Sequence, residues 1–177
     1  MYYQIIKVGK EPIGLVWDWR GKKPQIEKIY LPTHPKKMIS RINQDYPAVN
    51  TSPRKIGRGV ERLIAGLYLG KKQKINLLSL LNMKKLTPFA RKVLLQTFKI
   101  PRGGVVSYSD LAKKTGKRNA ARAVGRVMAA NPFPLIIPCH RVIRADGKLG
   151  GFGGGLEMKK NLLEKEGILY TSKEKFI

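Results

Sequence analysis

Ser107 to Pro132 reads SYSDLAKKTGKRNAARAVGRVMAANP, and this stretch decides how the chain folds. Ser107 and Asp110 form a Ser-x-x-Asp capping signature for a short helix from Tyr108 to Thr115, closed by Gly116. Asn119 is placed to cap a second helix, Ala120 to Ala130, which Asn131-Pro132 ends. On that second helix Val124, Val127 and Met128 share one side and are expected to pack inward. Arg118, Arg122 and Arg126 recur every four residues on the opposite side. Two short helices joined by a glycine-containing turn, with arginines on the outer face of the second, are the outline of a helix-turn-helix. The alanines between the arginines (Ala121, Ala123, Ala129, Ala130) admit two readings: simple helix propensity, or a backbone kept bare to approach a groove.

Working outward, Thr87-Pro88 starts a preceding helix whose stripe of Phe89, Val93, Leu94 and Phe98 runs down to Lys99. Downstream, Leu156 to Glu166 forms a helix closed by Gly167. The first thirty residues instead read as strands: Tyr2–Val8, Ile13–Trp19 and Gln25–Leu31, parted by the turns 9–12 and 20–24. Such short spacers imply an antiparallel meander. Trp17 and Trp19 share one face of the second strand, and both are expected in the core. Lys36–Tyr46 reads as a short helix, 46–54 as irregular, Val60–Leu69 as a helix stopped by Gly70, and 71–74 as a solvated charge run. His34 falls in a loop. The expected class is therefore α/β in the α+β sense. A small antiparallel-sheet domain spans residues 1–82, and a mainly helical domain with the helix-turn-helix spans 83–177.

Charge narrows the partners. Thirty-six Lys and Arg against eleven Asp and Glu give the 177 residues a net +25. That excess exceeds what solubility requires and favours a polyanion held through its phosphates. The excess is spread over both halves, so charge alone does not say which half binds. No apolar run is long enough to span a membrane, and Lys7, Lys10 and Glu11 interrupt any signal-like amino terminus. A cytoplasmic protein without a membrane partner is expected. One cysteine excludes an internal disulfide, and with only two histidines no metal site is expected.

The single cysteine, Cys139, lies in Pro134-Leu-Ile-Ile-Pro-Cys-His-Arg-Val-Ile-Arg144. A lone cysteine is ordinarily a small core residue. Here His140 and Arg141 follow at once, and either is able to favour a thiolate. Successive side chains of an extended segment point apart, so contact between His140 and Cys139 requires a water or a local bend. By the usual nucleophile–base–orienter logic the imidazole needs a carboxylate, and Glu164 and Glu166 are the candidates. A DNA-reading helix leading directly into a basic, thiol-bearing loop points to chemistry on DNA, the electrophile being an alkyl group on a base. Reaching it requires the base to leave the stack, with Arg122 filling the gap. The glycine-rich run 150–155 lacks the Lys-Ser/Thr ending of a P-loop, but permits close approach to a planar ligand on which Phe152 stacks.

With these residues in place, the chain resembles the O6-alkylguanine–DNA alkyltransferases, or methylated-DNA–protein-cysteine methyltransferases. The resemblance rests on Ile137-Pro138-Cys139-His140-Arg141-Val142, Ser107-Tyr108, Ala121-Arg122-Ala123-Val124-Gly125, Asn131-Pro132 and Glu166-Gly167, in the family's order through residues 87–168. It implies a single-turnover repair protein without cofactor. Cys139 would take the alkyl group from guanine O6, His140 would accept its proton through a water, and Glu166 would orient His140. Tyr108 would protonate the departing base. Arg122 would replace the flipped nucleotide from the minor groove of double-stranded DNA. Ser107, Tyr108, Ser109, Lys117, Ala121, Ala123 and Arg126 would lie along the DNA. Asn131, Met128, Val142, Phe152, Gly153 and Gly154 would form or support the base pocket. Action as a monomer is expected, with cooperative assembly on DNA and O4-alkylthymine as a second substrate left open. Some relatives carry Tyr-Ser where this chain has Phe152-Gly153, so a hydroxyl near the base is missing. Two other classes compete: a DNA-binding regulator with a merely packed cysteine, and a hydrolytic cysteine enzyme, for which no oxyanion-hole motif is visible.

Overall fold

A computed structural model describes residues 1–49, 55–72 and 77–169. Residues 50–54 of the expected irregular stretch, and residues 73–76, which begin within the expected charge run, lie outside the described residues. Strands β1 (Tyr2–Val8), β2 (Glu11–Arg20) and β3 (Lys23–Tyr30) form an antiparallel sheet in the order β1-β2-β3. Both hairpins close through two-residue loops, Gly9-Lys10 and Gly21-Lys22, so the strands run further than the sequence suggests. Pro12 and Pro24 are the second residues of their strands, near the ends where proline is tolerated.

Alternation along β2 sorts its side chains between two cores. Ile13, Leu15 and Trp17 join the main cluster, while Val16 packs with Met38 and Ile42 of α1 (Pro35–Asp45). Helix α2 (Arg58–Tyr68) covers the other side, with Gln4 Nε2 donating to Glu61 Oε1 at 2.8 Å. Trp19 departs from expectation. It is 38% exposed and meets Trp17 edge-on, because it sits next to the end of β2, past the residues that contribute to the core.

The helical half follows as α3 (Pro88–Phe98), β4 (Val106–Ser107), α4 (Tyr108–Lys114), α5 (Ala121–Ala129), β5 (Val142–Ile143) and α6 (Leu156–Lys165). Thr87 Oγ1 accepts from Ala90 N and Ser107 Oγ from Asp110 N, so both expected caps form. Asn119 does not cap α5. Ala120 holds that position without a side-chain bond, since Asn119 is consumed by a turn that Ala120 N closes onto Lys117 O at 3.0 Å. Arg118 accordingly precedes the helix instead of riding on it. The second face of the helix-turn-helix is as expected: Val124 and Met128 are buried, and Val127 packs partly buried beside them.

Two pairings place the site. The parallel β4–β5 ladder, Val106 opposite Val142 and Ser107 opposite Ile143, lays the start of α4 beside the segment after Cys139. The outer edge of β3 is covered by backbone from further along the chain: Asn82 N donates to Ile26 O at 2.9 Å, and Ile29 N to Pro132 O at 2.8 Å. The second bond ties the sheet to the loop that leaves α5, and one apolar cluster runs through both halves.

Candidate active site

The cysteine segment is held in an unusual backbone path. Pro138, at φ −78° and ψ 64°, is the centre of an inverse γ-turn in which Cys139 N donates to Ile137 O at 2.7 Å. A single 3₁₀ turn, Cys139–Arg141, follows. Just upstream, Leu135 adopts φ 73°, the one left-handed non-glycine among the described residues, which costs energy that its burial must offset. Asn131 fastens this path. Its Nδ2 donates to Ile137 O at 3.1 Å, and its Oδ1 accepts from Phe133 N at 3.0 Å.

Behind the sulfur lies a buried charge relay. His140 Nε2 is 3.0 Å from Glu166 Oε1. Arg141 donates from Nε to Glu166 Oε2 at 2.8 Å, from Nη2 to Oε1 at 2.7 Å, and from Nη1 to Ile100 O at 2.6 Å. Burial would push the Glu166 carboxyl up, but the bonds from His140 and Arg141 outweigh it and hold the pKa at about 2. Burial pushes His140 below its ordinary value against the pull of Glu166, so the imidazole is neutral. A carboxylate only accepts, so the imidazole proton sits on Nε2 and the lone pair on Nδ1. Nδ1 is buried and makes no hydrogen bond among the described residues. Burial raises the Cys139 thiol, while the Asn131 amide and Lys159 draw it the other way.

The two candidate carboxylates are separated by the end of α6. Glu166 is its C-cap, and Gly167, at φ 89°, turns the chain so that Gly167 N reaches Glu164 O and Ile168 N reaches Leu163 O. That turn aims Glu166 inward. Glu164 stays on the surface, 3.9 Å from Lys160.

Cys139 opens onto a cavity of about 580 Å³. Of the expected pocket residues, Met128, Asn131, Phe152, Gly153 and Gly154 line it. Val142 does not; its side chain is buried elsewhere in the core. Tyr108 is near enough to be affected by the cysteine, which with burial raises its pKa, and its hydroxyl lies 3.5 Å from Gly151 O. The rest of the lining comes from β3, α1 and the loop between them, including Lys28, Tyr30, Thr33, Lys37 and Arg41. No local signal marked these residues; the Ile29–Pro132 bond brings them there. Lys159 is a further residue of the site. It occupies the inner face of α6 in step with Leu162 and Leu163, and that spacing was the available sign that it points inward.

The helix-turn-helix presents the other predicted residues. Arg122, Arg126 and Lys117 are exposed, while Ser107, Tyr108, Ser109, Ala121 and Ala123 are half-buried. Ser107 Oγ, besides capping α4, donates to Asp110 Oδ2. Helix α5 thus faces outward with its arginines, while Met128 and Ala129 at its far end line the cavity that holds the sulfur. Among the described residues no three His, Cys, Asp or Glu gather as a metal site, and no helix is long and apolar enough to cross a membrane.

Comparison with known proteins agrees with this geometry. The family profile "6-O-methylguanine DNA methyltransferase, DNA binding domain" matches residues 88–168. A methylated-DNA–protein-cysteine methyltransferase of Methanothermobacter thermautotrophicus is 50% identical over 93 residues, 51% of each chain. The chain spans about half the length of the curated relatives it matches. Solved structures extend the likeness to nearly the whole chain. Mycobacterium tuberculosis OGT in complex with DNA superposes with TM-score 0.73 at 29% identity, covering 94% of this chain and 93% of that one. A variant of the same OGT gives 0.70 at 30% identity, covering 93% and 92%.

Proposed function

Because the chain belongs to the methylated-DNA–protein-cysteine methyltransferase family, we propose that it repairs O6-alkylguanine in double-stranded DNA by moving the alkyl group onto Cys139. The observation that carries this reading is the placement of Cys139 on the wall of a cavity roomy enough for a purine, with the His140–Glu166 pair beside it. His140 Nδ1, holding the lone pair, takes the thiol proton through a water. The thiolate then attacks the alkyl carbon in line, the carbon–O6 bond breaks, and its electrons pass to the guanine. Tyr108, whose phenol burial keeps protonated, supplies a proton to the departing base. The product is a thioether, which no group in the site can cleave, so each molecule acts once.

Access requires the nucleotide to leave the duplex. Exposed Arg122 takes its place from the minor groove, with Ser107, Ser109, Lys117, Ala121, Ala123 and Arg126 along the backbone. Asn131 keeps the cysteine turn in register with the end of α5, and Phe152, Gly153 and Gly154 bound the base. We extend the proposal to O4-alkylthymine, a smaller ring carrying the same ether linkage. Intact-mass measurement tests the reading. Incubation with duplex DNA containing O6-methylguanine adds one methyl group to the Cys139 peptide, once per molecule. Unchanged mass with intact DNA binding would favour a regulator instead.

A further inference from the structure

Lys159 is the one Lys or Arg among the described residues that is fully withdrawn from solvent, and it has no carboxylate opposite it. Its Nζ donates to Val142 O at 2.6 Å, Leu149 O at 2.6 Å and Gly150 O at 3.3 Å. An ammonium has three protons to give, so these carbonyls saturate it. They belong to two separate segments. Val142 ends the cysteine turn, and Leu149 and Gly150 lead into the glycine loop that bounds the cavity. The ammonium also lies 5.9 Å over the Tyr108 ring, and Gly150 packs so closely on that ring that a β-carbon there would approach it to 2.9 Å.

A buried charge is expensive where an apolar side chain of the same volume would fill the space. Its position suggests what is gained. The titratable and charged groups around the sulfur are Tyr108 on α4, His140 and Arg141 on the cysteine turn, Lys159 on α6 and Glu166 at its cap, while Lys28 of β3 and Lys37, Arg41 and Asp45 of α1 line the same cavity. Arg144, beyond Gly150, is exposed and paired with Asp146. His140 is neutral, and Arg141 is spent on Glu166. Lys159 is the buried cation left beneath the turn that carries Cys139.

We infer that Lys159 is a positioning residue of the site: its buried ammonium ties the cysteine turn to the glycine loop and sets a positive charge beneath the turn that carries Cys139. Burial lowers the Lys159 pKa to about 8, the thiolate opposing that shift, so the two groups are mutually coupled. The consequence for repair rests on the proposed alkyl transfer; the effect on the sulfur does not. The test reads the sulfur alone. Iodoacetamide alkylation of Cys139 is followed against pH without DNA, in wild type and in Lys159→Met and Lys159→Arg proteins shown to be folded by thermal melting. The inflection rises by about one unit in Lys159→Met, with roughly tenfold slower alkylation below it, and stays near wild type in Lys159→Arg. A second measurement uses wild type only. The Lys159 side-chain resonance is titrated before and after Cys139 is capped with methyl methanethiosulfonate, and its inflection falls on capping, because coupling acts equally in both directions. An unmoved thiol inflection in folded Lys159→Met, or a Lys159 titration indifferent to the cap, overturns the inference. If Lys159→Met does not fold, the capping result alone decides. Wild type that alkylates normally with iodoacetamide but takes no methyl from DNA refutes the alkyl-transfer reading and leaves this one standing.

Discussion

Replacing Glu166 with glutamine removes one charge and leaves the shape of the site nearly intact. The Glu166 carboxyl accepts from His140 and twice from Arg141, at 2.7 to 3.0 Å, and is 6% exposed. These bonds draw its pKa from 4.5 to about 2, against burial. At 1.36 kcal/mol for each unit, the carboxylate contributes about 3 kcal/mol to stability. The sign follows from proton binding. Between the two values the unfolded chain holds a proton that the native protein does not, so the contribution is complete above pH 4.5 and lost as pH falls toward 2. Neutral His140 adds its own loss on acidification, because its depressed pKa makes the unfolded state the better proton acceptor below 6.5. Glu166→Gln is therefore expected to unfold about 3 kcal/mol more easily at pH 7. The gap between the two proteins narrows below pH 4.5, measured by urea unfolding at a series of pH values. The amide also presents an N–H to Nε2, which favours the other imidazole tautomer and moves the lone pair off Nδ1. Methyl transfer then slows and the thiol pKa rises. A gap that is the same at pH 7 and pH 3.5, or smaller than about 1 kcal/mol at pH 7, refutes the assignment of charge to this carboxyl.

Other substitutions separate the remaining parts. Arg122→Ala slows methyl transfer by about tenfold or more while weakening duplex binding by less than about threefold, because one lost phosphate contact matters less than a lost wedge; equal losses in transfer and gel-shift assays contradict this. Asn131→Ala strips Ile137 O of one donor and Phe133 N of its acceptor, costing about 1–3 kcal/mol in urea unfolding and slowing iodoacetamide reaction at Cys139; a stability within 0.5 kcal/mol of wild type counts against its bracing role. Gly167→Ala forces a β-carbon into φ 89°, costing about 1–2 kcal/mol, and turns Glu166 away from His140; retention of the wild-type pH–rate profile shows that the cap does not aim the carboxylate.

What could be read from the chain in advance depended on how local the cause was. Thr87 and Ser107 announce their helices because a cap oxygen and the backbone N–H that donates to it lie within three residues. Glu166-Gly167 was legible for the same reason, although only the turn itself tells Glu166 from Glu164. Asn119 misled because a capping residue and a turn residue look alike, and the Lys117–Ala120 bond decided for the turn. The neighbours of Cys139 show the same limit. His140 and Arg141 adjoin it in sequence, and either reads as able to favour its thiolate. In the fold His140 is neutral, so it can act on the thiol only as a proton acceptor, and Arg141 is bound to Glu166 and Ile100 O. The cation that acts on the sulfur stands on another helix, where a lysine reads as solvent-facing by default. The cavity wall from β3 and α1 was invisible for want of any local mark. It exists because one backbone bond, Ile29 to Pro132, joins segments far apart in the chain.

The fold thereby divides two electrostatic tasks that a strongly basic protein would otherwise confuse. Cations meant for phosphate must stay wet, since their value lies in displacing counterions, and Arg122, Arg126 and Lys117 are exposed. Such charges are screened over about 8 Å in physiological salt, so a thiol that depended on them would change its protonation with ionic strength and again with each phosphate bound. The groups around Cys139 escape this. Glu166 neutralises Arg141 behind the turn, His140 stays uncharged, and Lys159 is sealed beneath Val142, Leu149 and Gly150. On the proposed function, helix α5 faces outward toward DNA, while the inner face of α6 carries the charge near the sulfur. Affinity for the polyanion can then rise and fall with salt while the nucleophile keeps its state, provided the lysine under the glycine loop keeps its proton.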